Sequence, residues 1–199
     1  MSGTEAMIRI DVEGELEKII QRLNRLPDQI AAPNILKNAI NSTARKVRKQ
    51  LVKDAKGEYA VKNTKALKDE SQGGPKVLTA TTANMSAAIQ SRGPMQDIMA
   101  FMTRPNTKTG AAAAKVLASG GMKPLEMGDL KAFVTKFASG HVAIVQRKGA
   151  ERLPVKKLLS PAVPFMLGNE TVRGQAEALA YETLQAEIDK RIAKVLGKA

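Results

Sequence analysis

Cysteine is absent from this chain of 199 residues, so disulfide bonds, thiolate zinc sites and cysteine nucleophiles are excluded. Tryptophan is absent too, and aromatic residues make up only 3% of the sequence. The core must therefore be packed with Ala, Leu, Ile, Val and Met, which supply few large anchoring side chains. We expect contacts in an oligomer to provide part of the missing burial.

Long apolar runs are missing as well. No stretch of about 18 apolar residues occurs, which predicts that no segment spans a membrane. The beginning of the sequence, MSGTEAMIRIDVEGE, has neither the basic start nor the apolar centre of a signal peptide. We therefore expect a protein that is made and kept in a cytoplasm-like compartment.

Catalytic motifs are not found. The single histidine, His141, lies in a predicted hairpin turn, and no HExxH pattern or spaced carboxylate cluster accompanies it. No glycine-rich phosphate loop occurs, and the carboxylates are scattered among lysines without an acid/base pair. These patterns predict a protein that is not an enzyme and that binds no metal and no cofactor.

Negative charge is scarce compared with positive charge. The chain has 32 Lys and Arg against 19 Asp and Glu, a net charge of +13. Such a balance favours a polyanionic neighbour, which could be nucleic acid, an acidic protein surface or anionic lipid. The alternative is a solvated surface that is merely basic. With two Tyr and four Phe to stack on bases, contact with phosphates is favoured over sequence-specific recognition.

The N-terminal half is predicted to be a strand followed by two helices. Residues 7–12 alternate as a strand does, and a helix with an apolar face should run from Glu13 to Pro27. A longer helix is predicted over residues 33–56. Its buried stripe consists of Leu36, Ile40, Thr43, Val47 and Leu51.

The opposite face of this second helix is predicted to carry a basic ridge, formed by Arg45, Lys49, Lys53 and Lys56. Like charges at this spacing destabilise an isolated helix by roughly 0.2–0.5 kcal/mol per pair. Something outside the helix should therefore compensate for them. The alternative interpretation is an ordinary solvated face with scattered lysines.

The middle of the chain alternates between turns and short elements. We predict a short helix over residues 61–68, a loop over 71–75, and a long strand over 76–90, with helix as the competing assignment for that last segment. Met95, Met99 and Met102 follow at one-turn spacing, which is typical of adaptable core or a protein interface and not of a cofactor site. Residues 103–121, rich in turn residues and alanine, are predicted to be a mobile loop.

The C-terminal half is predicted to contain a β-hairpin, a proline-rich strap and a long helix. The hairpin covers residues 130–146, with its turn at 137–141. The strap, residues 145–167, should be rigid and extended because each proline fixes φ and removes a backbone donor. The final helix, residues 163–196, would be near 45 Å long at about 1.5 Å per residue. We expect part of so long a helix to pack on another subunit.

These elements predict an α+β fold in a single domain covering residues 1–199. A small antiparallel sheet with a C-terminal hairpin would be flanked by long N- and C-terminal helices.

Three segments, in this order and spacing, carry a resemblance to a known family. The first is NAINSTARKVR at residues 38–48 with YAVK at 59–62. The second runs from Phe133-Val134 through Gly140-His141 to Arg147-Lys148-Gly149, and the third from RLPV at 152–155 to SPAVP at 160–164. Together they resemble the minor tail protein Z family, the tail-completion proteins of long-tailed bacteriophages.

The resemblance implies a virion protein, assembled in the host cytoplasm, at the head-proximal end of the tail. It would form a ring, with six copies the expected number, between the tail terminator protein and the head connector or completion protein. The tape measure protein is a further implied neighbour. Viral DNA would pass through the centre without being read.

Two sets of site residues follow from combining this role with the charge pattern. The DNA channel would be lined by Arg45, Lys49, Lys53 and Lys56, or by Arg104 and Lys108 in the loop. Subunit contacts are expected at Arg147, Arg152, Pro154, Pro161 and Pro164. The alternative for the two arginines is that they only tie down their own strand ends. The alternative function is a non-specific DNA-binding or packaging-associated protein.

Overall fold

The computed structural model of the chain describes residues 4–10, 21, 32–104 and 111–197. It has an α+β fold, as the sequence predicts. The helices in these ranges are α1 (Ala32–Glu58), α2 (Lys65–Lys68), α3 (Val163–Leu167) and α4 (Glu170–Leu196). Short 3-10 turns lie at Glu70–Gln72 and Ile98–Ala100.

The strands in the described ranges are short and all pair antiparallel. In chain order they are β1 (Thr4–Ile10), β2 (Lys76–Leu78), β3 (Ala87–Gly93), β4 (Gln96–Asp97), β5 (Met102–Arg104), β6 (Ala113–Lys115), β7 (Lys123–Pro124), β8 (Glu126–Met127), β9 (Leu130–Lys131), β10 (Phe133–Lys136), β11 (Val142–Arg147), β12 (Val155–Lys157) and β13 (Leu159–Ser160). They form sheets in the orders β1-β3-β2, β5-β6-β7 and β10-β11-β12, with two-stranded pairs β13-β4 and β8-β9.

The main core lies between the two long helices and the β1-β3-β2 sheet. The predicted stripe of α1 is buried along its whole length, and Ala176, Ala180, Leu184 and Ile188 of α4 are buried with it. The two helices run antiparallel, since Ser42 and Lys46 meet Arg191 and Glu187 near one end while Tyr59 meets Asn169 at the other. Ile192 and Val195, nearer the end of the α4 stripe, are partly buried against the same core.

A close backbone contact fixes the edge of this core. Gly73 has a φ of +96°, in the left-handed region that glycine favours, and it lies directly against Gly93 at the end of β3. A Cβ on Gly93 would be 2.6 Å from the Gly73 Cα atom, closer than real side chains come. The Ser91 hydroxyl also donates a hydrogen bond to the Gly73 carbonyl. Only glycine at position 93 lets the turn reach the sheet.

A smaller core joins the other two three-stranded sheets. It consists of buried Ile98, Ala112, Ala114, Ala132, Val134 and Ile144. The predicted hairpin is confirmed as β10 and β11, paired from Phe133–Val145 to Lys136–Val142. Alanine is small enough for the β6 strand to lie close to this hairpin, which explains why the alanines near residue 112 are buried.

Several boundaries differ from the predictions. The long strand over 76–90 is divided into β2 and β3, which pair with each other because residues 79–86 turn the chain back. The predicted mobile loop over 103–121 contains β6 and begins within β5, while residues 105–110 lie outside the described residues. The predicted strap begins inside β11, which is the middle strand of the β10-β11-β12 sheet. The first proline of the strap, Pro154, follows only after that strand ends.

Two predicted helices differ from the observed ones as well. The helix over 163–196 is interrupted at Gly168 and Asn169, because the Asn169 side chain accepts hydrogen bonds from the Thr171 and Val172 amides and starts α4 anew. The helix over 61–68 is shortened to α2. The predicted helix from Glu13 to Pro27 lies outside the described residues, apart from Gln21, which is helical.

Candidate functional site

The outer face of α1 carries the basic ridge, formed by Arg45, Lys49, Lys53 and Lys56. All four side chains are exposed, and none of them forms an ion pair with any residue in the described ranges. The ridge spans about 16 Å at 1.5 Å per residue. One strand of B-DNA presents about five phosphates over that axial length, one per 3.4 Å. Within the part of the chain that the structure describes, the ridge is therefore a row of cations without ion-pair partners, with the dimensions of a phosphate row.

Two other cations of α1 are already neutralised within the chain. Lys46 Nζ lies 2.6 Å from Glu187 Oε1, and Arg48 Nε donates to the Pro75 carbonyl at 2.5 Å. Arg48 also approaches Glu70 at 3.9 Å. Among the described residues, Lys46 and Arg48 thus tie α1 to neighbouring elements, whereas the four ridge cations form no ion pair.

The carboxylate of Glu187 is the buried counterpart of this arrangement. It accepts hydrogen bonds from Lys46 and from Arg191, and Arg191 also donates to the Ser42 hydroxyl at 2.7 Å. The hydrogen bond from Lys46, and then that from Arg191, lower the pKa of Glu187 from its ordinary 4.5 to about 2. The residue thus stays charged and joins α1 to α4. The apolar spacing of the last helix predicts that Glu187 lies mostly away from the buried stripe, and the structure shows this to be wrong, since the side chain is buried.

The predicted loop cations are not brought to the ridge by any contact that the structure describes. Arg104 is exposed at the end of β5, where it pairs with Ala113. Lys108 lies outside the described residues. Next to Arg104, the Thr103 hydroxyl accepts a hydrogen bond from the Lys62 ammonium at 3.1 Å. The ridge and Arg104 therefore remain two separate candidates for the DNA-channel surface.

The predicted contact residues of the strap have different surroundings. Arg147 is exposed, with its guanidinium 5.9 Å from the centre of the Phe133 ring. Arg152 and Pro154 lie in the exposed loop between β11 and β12, which is closed by the Lys148 amide bonding to the Pro154 carbonyl at 3.0 Å. Pro161 is half-buried at the start of the path to α3.

Pro164 is buried in the first turn of α3 and lies next to the Gly73 turn. Its ring packs against Gly73 inside the subunit and also forms part of a cleft wall. Arg147, Arg152 and Pro154 are therefore the exposed members of the predicted contact set.

His141 belongs to a small polar cluster that sequence reasoning did not find. Its Nε2 atom lies 3.7 Å from the Asp97 carboxylate, and the Lys157 ammonium lies 2.8 Å from the same carboxylate oxygen. Its ring stacks on Phe137 with centroids 6.3 Å apart. The three polar side chains come from β4, the hairpin turn and β12, so they hold the hairpin against β4.

No metal-binding arrangement and no membrane-spanning helix occur among the residues that the structure describes. In those ranges no three His, Cys, Asp or Glu side chains are grouped as metal ligands would be. The helices described there are also too polar to cross a bilayer.

Comparisons of the chain with protein-family models, with curated proteins and with solved structures find no match.

Proposed function

We propose that this chain is a structural subunit of the ring that completes the tail of a long-tailed bacteriophage. In this role it joins the tail to the head connector, surrounds the DNA channel and contacts the tail terminator protein. The observation that carries the proposal is the basic ridge, a row of exposed cations that form no ion pair with the described residues, on a helix whose other face is buried. The resemblance in sequence to the minor tail protein Z family supports the choice of setting.

The ridge suits a channel wall because three of its four cations are lysines, which offer charge without a means of reading bases. Lysine is a point charge that attracts phosphate, whereas base recognition needs bidentate or planar side chains at groove edges. A channel through which the genome moves must bind each phosphate weakly and equally. The fixed spacing on a packed helix provides this, since the apolar stripe of α1 holds the backbone in place.

The function is tested first by location. Electron microscopy of purified phage particles with this subunit labelled should place the label at the junction of head and tail. A label found anywhere else would refute the proposed function.

The ridge is tested by charge reversal in the phage. We expect Lys49→Glu with Lys53→Glu to leave particle assembly intact and to reduce DNA delivery or retention at least about tenfold, because phosphates would meet carboxylates. The matched control is Lys131→Glu with Lys136→Glu, two exposed lysines of the hairpin region that give the same change in net charge. Infectivity equal to that of the control would show that the ridge does not face the channel.

A further inference from the structure

A cleft of about 550 Å³ lies between β1 and the break between α3 and α4. The cleft is lined in part by apolar side chains that are exposed to solvent in a single copy. Met7 is 48% exposed and Phe165 is 59% exposed. β1 is an edge strand, since within the described residues it pairs only with β3. Exposed apolar side chains beside an open strand edge are typical of a surface that another chain covers.

The charge of the cleft is opposite to that of the chain as a whole. Its lining includes the carboxylates of Glu5 and Glu170 and one cation, Arg173, which is paired with Glu177 at 3.3 Å. Glu5 accepts a hydrogen bond from the uncharged side chain of Gln90 at 2.8 Å. In a chain of net charge +13, a concave acidic and apolar surface selects a partner that is basic and apolar.

The loop between β11 and β12, residues 148–154, has that character. Every residue in it is exposed, and Leu153 is 67% exposed, which is the highest value among the large apolar side chains of the described residues. Arg152 precedes Leu153, and Lys148 stands at the start of the loop. An exposed leucine next to arginine complements a cleft that offers Met7 and Phe165 next to glutamates.

Within one copy this loop does not occupy the cleft, since none of residues 148–154 lines it. The chain leaves the loop through the extended residues of β12 and β13 before it enters α3, which forms one wall of the cleft. Six extended residues span roughly 20 Å at 3.3 Å each. The loop and the cleft are therefore at different ends of this segment, and two different surfaces that fit each other produce head-to-tail association.

We propose that the 148–154 loop of one copy binds in the cleft of the next copy, with Leu153 against Met7 and Phe165 and Arg152 facing Glu5 and Glu170. This inference rests on the proposed ring, and it names the contact that builds it. Head-to-tail contacts close into a ring when the rotation between copies permits it.

The contact is tested by disulfide crosslinking, which the absence of native cysteine makes specific. Full-length Leu153→Cys and Met7→Cys chains, carrying different mass tags, are mixed and oxidised, both free and on assembled tails. The matched control replaces Met7→Cys by Met102→Cys, a methionine of nearly equal exposure at 50%. We expect the 153–7 crosslink to exceed the 153–102 crosslink at least about tenfold.

Equal yields for the two pairs, or crosslinks mainly between two copies of the same variant, would overturn the inference. Native mass spectrometry of the unmodified chain and of tails separates this result from failure of the proposed function. A ring without the 153–7 crosslink refutes the interface alone. Absence of any ring refutes the proposed function together with the interface.

An independent substitution avoids the use of cysteine. Leu153→Asp should weaken self-association at least about tenfold, because a carboxylate would enter an acidic cleft. Leu78→Asp, at a leucine that is 40% exposed on β2, should leave association unchanged. Equal effects of the two substitutions would also count against the contact.

Discussion

At the scale of single residues, the chemistry of a side chain in this protein depends on which helix it meets. Glu187 and Glu182 lie on the same helix five positions apart, yet Glu187 is buried between Lys46 and Arg191 whereas Glu182 is exposed. The depressed pKa of Glu187, about 2, results from its hydrogen bonds with Lys46 and Arg191, since burial alone would raise it. The same difference separates Lys46, which pairs with Glu187, from Lys49, which forms no ion pair with the residues that the structure describes.

The Glu187 site predicts a dependence of stability on pH. Its pKa is about 2 in the folded chain against 4.5 ordinarily, and at about 1.4 kcal/mol per pKa unit this corresponds to about 3 kcal/mol. Because the folded pKa is depressed, the contribution is complete above pH 4.5 and is lost as the pH falls towards 2. We expect Glu187→Gln to lower the free energy of unfolding at pH 7 by about 2–3 kcal/mol, measured by urea titration.

The difference between Glu187→Gln and the unmodified chain should shrink steadily from pH 4.5 to pH 2. Glu182→Gln is the control, and it should change the unfolding free energy by less than about 0.5 kcal/mol at every pH. A constant difference between the Glu187 variant and the unmodified chain across this range would mean that the carboxylate does not titrate as described.

At the scale of elements, the two long helices and the β10-β11 hairpin follow from local patterns, whereas the break before α4 follows from a side-chain contact. The apolar period of α1 predicts which face is buried, and the structure agrees at every position of the stripe. The last helix has an apolar period of the same kind, but the Asn169 cap divides it. Asparagine is common inside loops and caps alike, so the pattern alone does not show where it acts.

The contact between Gly73 and Gly93 predicts a large cost for one added methyl group. In Gly93→Ala the new Cβ would be 2.6 Å from the Gly73 Cα and 2.8 Å from the Gln72 carbonyl oxygen. Since both are backbone atoms, relief requires the turn to move away from the sheet. We expect the unfolding free energy, measured by chemical denaturation, to fall by about 3 kcal/mol.

Gly121→Ala provides the comparison for Gly93→Ala. A Cβ at position 121 would meet no atom within 4 Å, and the glycine does not have a positive φ. Its unfolding free energy should stay within about 0.5 kcal/mol of the original. If the two alanine variants were equally stable, the close approach of the turn to β3 would be refuted.

At the scale of the whole molecule, positive charge is distributed so that some of it ties elements together and the rest faces outward. The net charge of +13 repels itself unless an anion compensates for it. For a ring subunit the compensating anion would be DNA, which the ring encloses only after assembly. A free DNA-binding protein would instead bind DNA as a monomer. The two functions therefore differ in the DNA affinity of the isolated chain.

This difference is measurable by titrating double-stranded DNA at several salt concentrations. For a ring subunit we expect weak binding by the isolated chain, with dissociation constants of about 10⁻⁴–10⁻⁶ M near physiological salt. Lys49→Ala with Lys53→Ala should reduce the slope of log K against log salt by about 2, because each phosphate that a lysine neutralises adds about 0.9 to that slope. Lys131→Ala with Lys136→Ala should leave the slope unchanged. Tight, strongly salt-sensitive binding by the monomer would favour the DNA-binding alternative.

The sequence by itself determined the α+β class, the buried and basic faces of α1 and the β10-β11 hairpin. Each of these depends on a period or a turn within about 25 consecutive residues, which the chain carries locally. Only the tertiary structure decided the pairing of β1 with β3, the burial of Glu187 against Lys46 and the cleft beside Phe165. These join residues that are roughly 80 to 160 positions apart, and hydrophobic burial selects such partners by shape and charge that a local pattern does not contain.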